Sequence, residues 1–224
     1  DVLIAANIKI MMSPAGAEEW DGKSELTHQQ LHEVEIEDLL PREKIEVDMD
    51  AIGAMLTGRR VFITGAAGSI GSEIVRQVAS YKPAEMILVN QAETPMHGIR
   101  LMMARQFSDV KNETVVASIT DKDHMEKLFS EHCPEYVFHA AAFKHVPMLE
   151  DNPIQAVRNN IAGTRVIVDL ALKYGTKKFV MISTDKAVNP TNVMGCSKRI
   201  CEIYCQSLNQ AILDGKVKGE TQFV

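Results

Sequence analysis

Three glycines spaced three residues apart constrain this chain more than any other feature. Gly65, Gly68 and Gly71 follow a short run of apolar or β-branched residues, 61–64, and lead into a stretch, 70–80, whose apolar residues recur with helical periodicity. The pattern predicts a strand that turns directly into a helix. Such a turn directs free N–H groups and the positive end of the helix dipole at one point, which suits a phosphate group.

The spacing of the glycines distinguishes between the known phosphate-binding loops. A Walker loop requires a Lys after its last glycine, and none follows Gly71. The common dinucleotide fingerprint, G-x-G-x-x-G, is one residue tighter than the G-x-x-G-x-x-G of this chain. The wider form, preceded by Thr64, resembles the short-chain dehydrogenase/reductase superfamily, especially its extended branch. The alternative is a glycine-rich turn that binds no ligand.

Composition and charge narrow the class of protein. The net charge of −6 argues against a nucleic-acid partner, and few aromatic residues are present to stack on bases. No apolar run is long enough to cross a bilayer, and no secretory signal is recognisable. The four cysteines form no C-x-x-C pair and no His pair has zinc spacing, so we expect reduced thiols and no metal site.

The chain divides into two regions with different patterns. Residues 1–50 are irregular: a strand is predicted within 3–12 and a helix near 26–32, followed by an acidic connector. From residue 51, short apolar strands alternate with helical stretches, which predicts a doubly wound parallel α/β sheet, a Rossmann-like dinucleotide-binding domain over 51–224. The predicted strands are 61–64, 86–90, 114–118, 136–140, 178–183 and the start of one at 222, and the predicted helices are 70–80, 94–106, 122–131, 154–174 and 194–213.

The second predicted strand ends where a dinucleotide would place its adenosine ribose. An acid is usual at this position, but here it is Asn90, and Glu93 is the nearest carboxylate. No Arg follows directly to attract a 2′-phosphate. We therefore favour NAD over NADP and leave NADP open, with a plain turn residue as the alternative role of Asn90.

Two further strand ends are candidates for contact with the nucleotide. Ser118 stands where an Asp often binds the adenine, and Asp121 is expected to cap the next helix. Ala140, Ala141 and Ala142 follow the fourth strand, and their small side chains would let a cofactor lie against the backbone. Tight helix packing is the alternative reason for these alanines.

Two clusters after the fifth strand carry the predicted chemistry. Thr184, Asp185 and Lys186 stand at the carboxyl end of the strand, while Met194 and Lys198 share one helical face. The short-chain superfamily has Y-x-x-x-K at this helix, and the thioether of Met194 cannot transfer the proton that the Tyr would carry. An adjacent acid and amine can do so instead. The alternatives are an inactive domain and a solvated turn.

Three segments, 64–73, 139–147 and 180–199, together resemble the CapD-type polysaccharide biosynthesis proteins, which are UDP-N-acetylglucosamine 4,6-dehydratases. Met in the Tyr position is typical of the long, membrane-anchored members of that family. The resemblance implies a UDP-sugar substrate, an NAD cofactor and a homo-oligomer. It also implies a place on the cytoplasmic face of the cell membrane, with the membrane helices lying outside this chain.

The resemblance also implies roles for individual residues. Hydride from sugar C4 would pass to the cofactor and return to C6, Lys186 would remove the C5 proton, and Asp185 would protonate the departing C6 hydroxyl. Thr184 would assist removal of the 4-hydroxyl proton. The implied cofactor contacts are Thr64, Gly65, Gly68, Ser69, Ile70, Gly71, Asn90, Glu93, Ser118, Ile119, Ala140, Ala141, Ala142, Asn160 and Lys198, and the implied substrate contacts are Lys144, His145 and Asn189.

Three other interpretations stay open at this point. They are an epimerase or reductase on the same fold, a non-catalytic dinucleotide-binding module, and a protein-interaction role for residues 1–50. Residues 222–224 resemble a strand that is cut short. We therefore expect a fragment that binds dinucleotide weakly or not at all and turns over no substrate.

Overall fold

The computed structural model describes residues 48–224 and two short strands, β1 (Met11–Met12) and β2 (His32–Glu33). The chain separates into two compact units, Asp1–Asp48 and Met49–Val224. In the first unit, β1 and β2 form an antiparallel pair. His32 therefore lies in a strand, and the helix predicted near 26–32 is wrong at that residue. The rest of that helix, and most of the strand predicted within 3–12, lie outside the described residues.

A parallel sheet of six strands organises the second unit, in the order β5-β4-β3-β6-β7-β8. The strands β3 to β8 are Arg60–Thr64, Glu85–Asn90, Asn112–Val116, Tyr136–His139, Lys178–Met181 and Gln222–Phe223. The strand order reverses between β3 and β6, which opens a crevice at their carboxyl ends. The predicted doubly wound, Rossmann-like fold is thereby confirmed.

Helices cover both faces of this sheet. The helices α1 to α8 are Met49–Leu56, Ser69–Ser80, Glu93–Gln106, Lys122–His132, Val146–Asp151, Pro153–Gln155, Thr164–Lys173 and Val193–Leu213. A π-helix, Ala156–Gly163, leads into α7, and a 3-10 turn, Asp185–Ala187, follows β7. Within the described residues, no helix is both long and apolar enough to cross a membrane.

Four predicted elements have different bounds in the structure. The single helix predicted over 154–174 is instead three consecutive pieces, α6, the π-helix and α7. The third strand is Asn112–Val116 rather than 114–118, because its pairing with β4 ends where Asn90 lies beside Val116. Ser118 therefore stands in the following loop. The strands β6 and β7 also end earlier than predicted, which leaves more of their carboxyl-terminal segments free to line the crevice.

The alternation of side chains along the central strands builds two cores, one on each face of the sheet. Phe62 and Ile87 belong to one core, and Val61, Ile63 and Leu88 belong to the other. All of these side chains are fully buried because helices pack on both faces. The packing on both faces therefore fixes where the strands end and where the turns that follow them begin.

Candidate dinucleotide site and active site

The glycine turn joins β3 to α2, as its spacing predicts. Gly65 has φ +67°, and a Cβ at this position would lie 2.6 Å from the amide nitrogen of Ala141. A Cβ on Gly71 would lie 1.9 Å from the carbonyl oxygen of Gly65. The turn therefore closes only with glycine at both places. The N-cap residue Gly68 has no side chain to satisfy the first amides of α2, so these amides are free to bind an anion.

Two cavities meet at this turn. The larger, of 520 Å³, lies between the start of α2 and helix α5, and the smaller, of 110 Å³, lies at the ends of β4 and β5. Both are lined by Gly68, Ala140 and Ala142. An elongated ligand with phosphates in its middle fits this shape, since the glycine turn lies where the cavities join. The cavities bring together the predicted cofactor residues Gly65, Gly68, Ser69, Ile70, Gly71, Asn90, Ile119, Ala140, Ala141 and Ala142.

Five predicted cofactor residues line neither cavity, namely Thr64, Glu93, Ser118, Asn160 and Lys198, and two of these, Thr64 and Asn160, bond to groups at the end of β6 and after it. Thr64 is fully buried, and its hydroxyl oxygen lies 2.7 Å from Nδ1 of His139. Asn160 is 1% exposed; its Oδ1 accepts from the Phe143 amide at 2.8 Å, and its Nδ2 donates to the Phe143 carbonyl at 3.0 Å. These side chains hold the backbone after β6, and their direct contact with the cofactor stays a prediction.

The residues predicted for the adenosine end of the site lie in three different places. Asn90 lines the smaller cavity, and its Nδ2 donates to the carbonyl of Ala92 at 3.2 Å, which also makes it a turn residue. Glu93 is exposed at the start of α3 and lines neither of the two cavities. Ser118 instead lines a separate cavity of 300 Å³ that also contains Arg158. The only predicted adenosine contacts in the 110 Å³ cavity are therefore Asn90 and Ile119.

The start of helix α4 behaves as the sequence predicts. Asp121 occupies the N-cap position, and its Oδ1 accepts a hydrogen bond from the His124 amide at 3.1 Å. The bond satisfies one of the free amides in the first turn. Asp121 therefore has a structural role at the edge of the adenosine region.

The predicted substrate residues are divided by the structure. Lys144 and His145 line the 520 Å³ cavity, and Nζ of Lys144 donates to Oγ of Ser69 at 3.2 Å. Asn189 lines neither of the two cavities; it has φ +47° and stands in the loop before α8 as a left-handed turn residue. The cavity also contains apolar side chains that sequence reasoning missed, namely Phe143, Met148 and Leu149.

The predicted acid and amine lie side by side immediately after β7. Nζ of Lys186 is 3.7 Å from Oδ1 of Asp185, and the hydroxyl of Thr184 donates to the same carboxylate oxygen at 2.9 Å. The side chains of Asp185 and Lys186 are 87% and 51% exposed. The hydrogen bond from Thr184 and then the charge of Lys186 lower the pKa of Asp185 below its usual value. In the open site Asp185 is therefore an ionised carboxylate.

The start of helix α8 contacts the 3-10 turn that contains Asp185 and Lys186. A Cβ on Gly195 would lie 2.2 Å from the carbonyl oxygen of Lys186, so the turn rests directly on the first turn of the helix. Asn192 caps the helix by accepting a hydrogen bond from the Gly195 amide at 2.8 Å. This contact joins the acid–amine pair to the helix that carries Met194 and Lys198.

Met194 and Lys198 are both buried on the inner face of α8. Met194 is 4% exposed and packs against Leu149 and Ala156. Lys198 is 6% exposed, and its Nζ donates to the carbonyl of Ile182 at 2.5 Å. Burial lowers the pKa of this amine. The lysine is thus anchored at the end of β7, where a cofactor ribose is expected, while the Met side chain stands in a dry apolar cluster.

Sequence reasoning also missed the buried histidine at the end of β6. His139 is fully buried, its Nε2 lies 2.8 Å from Oγ1 of Thr164, and burial followed by the charge of Lys198 lowers its pKa to about 3. In the sequence, its position just before three alanines is the one signal that marks it.

In the described part of the chain, no group of three or more His, Cys, Asp or Glu side chains is placed to hold a metal ion.

A parallel sheet with this strand order and a glycine turn at the switch point defines the Rossmann-like dinucleotide-binding proteins. Within that class, the chain belongs to the polysaccharide biosynthesis protein family, whose model matches residues 61–224. The family membership agrees with the resemblance drawn from the motifs. It is a family of nucleotide-sugar dehydratases and epimerases.

Individual relatives extend this comparison. The capsular polysaccharide biosynthesis protein CapD of Staphylococcus aureus is 45% identical over 187 residues, which are 83% of this chain and 31% of that protein. The inverting UDP-N-acetylglucosamine 4,6-dehydratase of Campylobacter jejuni is 32% identical over 145 residues, which are 64% of this chain and 42% of that enzyme. The chain thus spans less than half the length of these relatives.

A solved structure supports the fold. The UDP-glucose 4-epimerase of Stenotrophomonas maltophila, with bound NAD and a formylated UDP-arabinopyranose, superposes with a TM-score of 0.61 at 21% identity. The superposition covers 68% of this chain and 49% of the epimerase. At this identity the likeness establishes the shared fold.

Proposed function

We propose that the full-length protein is a nucleotide-sugar 4,6-dehydratase that acts on UDP-N-acetylglucosamine in the biosynthesis of a surface polysaccharide. The observation that carries the proposal is the Asp185–Lys186 pair, held directly after β7 and against the start of α8. Family membership and the 32% identity to the Campylobacter jejuni dehydratase support it. The same helix carries Met194 in the place where a reductase or epimerase of this fold has a Tyr.

The residues around the glycine turn fit an NAD molecule. Backbone amides at the start of α2 would hold the pyrophosphate, Asn90 would bind the adenosine ribose, and Lys198 would bind the nicotinamide ribose. The alanines after β6 leave room for the cofactor to lie against the backbone. When bound, NAD supplies a hydride acceptor that is regenerated within each turnover.

Proton transfer falls to the acid–amine pair. Elimination needs a neutral amine to take the C5 proton and a protonated carboxyl to release the C6 hydroxyl as water. Asp185 is ionised in the open site, so it must first gain a proton, and the sugar 4-hydroxyl supplies one when C4 is oxidised. Asp185 then gives this proton to the departing C6 hydroxyl, which leaves as water. Lys186 takes the C5 proton and returns a proton to C5 when the hydride adds at C6.

The remaining proton is that of the sugar 4-hydroxyl. Met194 cannot accept it, because its thioether has no basic group, and its side chain is buried against Leu149 and Ala156. Thr184 is the nearest hydroxyl to the pair and already donates to Asp185 at 2.9 Å. We assign the removal of this proton to Thr184 acting with Asp185.

The decisive experiment follows the product in D₂O. Full-length protein given UDP-N-acetylglucosamine should form a 4-keto-6-deoxy sugar that carries deuterium at C5 by NMR. The Lys186→Met and Asp185→Asn variants should each lower kcat by at least about a hundredfold, the scale of general acid–base catalysis. Lys216→Met is the control, because Lys216 is also an exposed lysine and pairs with Asp214 at 2.8 Å.

Two other outcomes would change the proposed function. A 4-epimer that keeps its C6 hydroxyl would identify an epimerase. Binding of NAD with no turnover, unchanged by Lys186→Met, would identify a non-catalytic dinucleotide-binding module, the reading that Met194 favours. For the full-length protein we also propose a homo-oligomer at the cytoplasmic face of the cell membrane, held there by segments outside this chain.

A further inference from the structure

A continuous chain of buried polar groups runs beneath the two cavities. It joins Thr64 at the end of β3, His139 at the end of β6, and Thr164 at the start of α7. It continues through Cys201 on α8 to Asn160 on the π-helix. Each of these side chains is at most 2% exposed. None of them is required by the two cores, which are built from apolar side chains.

The donors and acceptors among these buried side chains fix the direction of each hydrogen bond. The Ala141 amide donates to the hydroxyl of Thr64 at 3.4 Å, so the hydroxyl proton points to Nδ1 of His139, which lies 2.7 Å away. The neutral ring carries a single N–H, so its proton must be on Nε2, which donates to Thr164 Oγ1 at 2.8 Å. Every group is satisfied only when the bonds all run this way.

The second half of the chain returns to the same backbone segment. Burial raises the pKa of the Cys201 thiol and the neighbouring Thr164 hydroxyl lowers it, and that thiol donates to the carbonyl of Asn160 at 3.2 Å. The side chain of Asn160 then binds both the amide and the carbonyl of Phe143. The buried polar groups therefore hold the backbone at two points, the amide of Ala141 and, two residues later, the amide and carbonyl of Phe143.

The segment held in this way forms the wall shared by both cavities. Ala140 and Ala142 line the 520 Å³ and the 110 Å³ cavity. The same segment lies against the glycine turn, since a Cβ on Gly65 would be within 2.8 Å of the Ala140–Ala141 peptide. A shift of this segment would change the width of the site where the pyrophosphate and the nicotinamide ribose are expected.

We propose that His139, as the neutral tautomer protonated on Nε2, is a positioning residue that sets the Ala140–Phe143 wall of the dinucleotide site. It touches neither cofactor nor substrate; it acts through Thr64 on the Ala141 amide and through Thr164 and Cys201 on Asn160. The inference rests on the proposed dinucleotide site and is independent of which sugar reaction takes place there.

The unmodified protein provides the first test. In full-length protein labelled with ¹⁵N-histidine, one imidazole should show a bare Nδ1 and a protonated Nε2, with shifts that stay constant from about pH 8 to pH 5, where ordinary histidines titrate. Loss of this signal in His139→Gln assigns it. A proton on Nδ1, or titration of this ring in that range, would overturn the proposal.

Variants of Thr64 provide the second test, because Thr64→Val removes the hydroxyl, and with it the bonds to the Ala141 amide and to His139, at nearly constant volume. Thr64→Val removes the hydroxyl and should raise the Kd for NAD about tenfold, the factor expected for one buried hydrogen bond. Thr64→Ser keeps the hydroxyl and should bind NAD like the wild type. The kcat at saturating NAD should change much less than the Kd in both variants.

A double variant separates positioning from general destabilisation. Thr64→Val and His139→Gln break the same bond, so together they should raise the Kd no further than the more affected single variant. Equal NAD affinity in Thr64→Val and Thr64→Ser, with both folded by circular dichroism, would overturn the proposal. Normal NAD results without a 4-keto-6-deoxy product would instead overturn the dehydratase assignment alone.

Discussion

At the scale of single residues, environment decides the chemistry of each titratable side chain. Lys186 and Lys198 are both amines near the end of β7, but the first is half exposed and the second is 6% exposed. Burial lowers the pKa of Lys198 and raises the pKa of the Cys205 thiol to about 12. The exposed pair is therefore suited to proton exchange with a substrate, whereas the buried groups keep one protonation state and give the site its shape.

The buried imidazole predicts a pH dependence of stability. The pKa of His139 falls from 6.5 to about 3 on folding. The unfolded chain therefore binds more protons between these values, and stability is lost as the pH falls below about 6.5. Between pH 7 and pH 5 this group should remove about 2 kcal/mol of unfolding free energy.

Urea unfolding of wild type and His139→Gln at both pH values measures that difference. The other histidines titrate equally in the two proteins and cancel from the comparison. An equal loss of stability in both proteins would contradict the assignment of a neutral, buried His139.

Met194 provides a second prediction at this scale. Its side chain is 4% exposed between Leu149 and Ala156 and has no chemical task in the proposed reaction. Met194→Leu keeps the volume and should leave kcat within about threefold at a cost below about 1.5 kcal/mol. Met194→Tyr overpacks the cluster and should cost about 1–3 kcal/mol in thermal unfolding. A large fall in kcat with Leu would show that the thioether takes part.

At the scale of elements, the site depends on how closely strand ends, turns and helix starts approach one another. In the turn after β3, Gly65 lies against the Ala140–Ala141 peptide and has no space for a Cβ. At the turn after β7, Gly195 of α8 likewise has no space for a Cβ beside the carbonyl of Lys186. Much of the fold could be anticipated at this level. The glycine spacing places the first turn correctly, whereas nothing local in the sequence indicates the second contact, which joins Gly195 to the carbonyl of Lys186.

Gly195→Ala tests that second contact. Its Cβ would lie 2.2 Å from the Lys186 carbonyl, so the 3-10 turn must move away from α8. We expect kcat to fall at least about tenfold and stability to fall by about 1–3 kcal/mol, as for other overpacked sites. Gly98→Ala is the control, since nothing lies within 4 Å in the middle of the exposed α3 surface. It should stabilise by about 0.5–1 kcal/mol, and equal effects of the two variants would contradict the contact.

At the scale of the whole described unit, two apolar cores hold one sheet from both faces. Phe179 lies near the middle of one core, with ring centroids 5.8 Å from His139 and 5.5 Å from Phe223. Its strand, β7, carries the acid–amine turn at its carboxyl end. The packing of Phe179 therefore supports the strand that carries this turn. Because the chain covers 31% of CapD, we expect turnover only in the full-length protein.

Phe179→Ala tests how much this packing contributes to stability. Phe179 has no exposed surface, so the variant should lose about 3–5 kcal/mol of unfolding free energy, as expected for a large aromatic side chain removed from a core. Val188→Ala is the control, because Val188 is 72% exposed. It should stay within about 0.5 kcal/mol of the wild type. A change below about 1 kcal/mol in Phe179→Ala would place the main core elsewhere.

The sequence by itself determined the class of fold, the glycine turn and the Asp185–Lys186 dipeptide, because periodicity and turn chemistry act between neighbours in the chain. Tertiary structure decided which side chains face the cavities: it moved Thr64 and Asn160 beneath the site and split one predicted helix around a π-helix. It also created the bonds of His139, whose partners are 75 and 25 residues away. Contacts of that separation depend on strand order and helix packing, which no local pattern encodes.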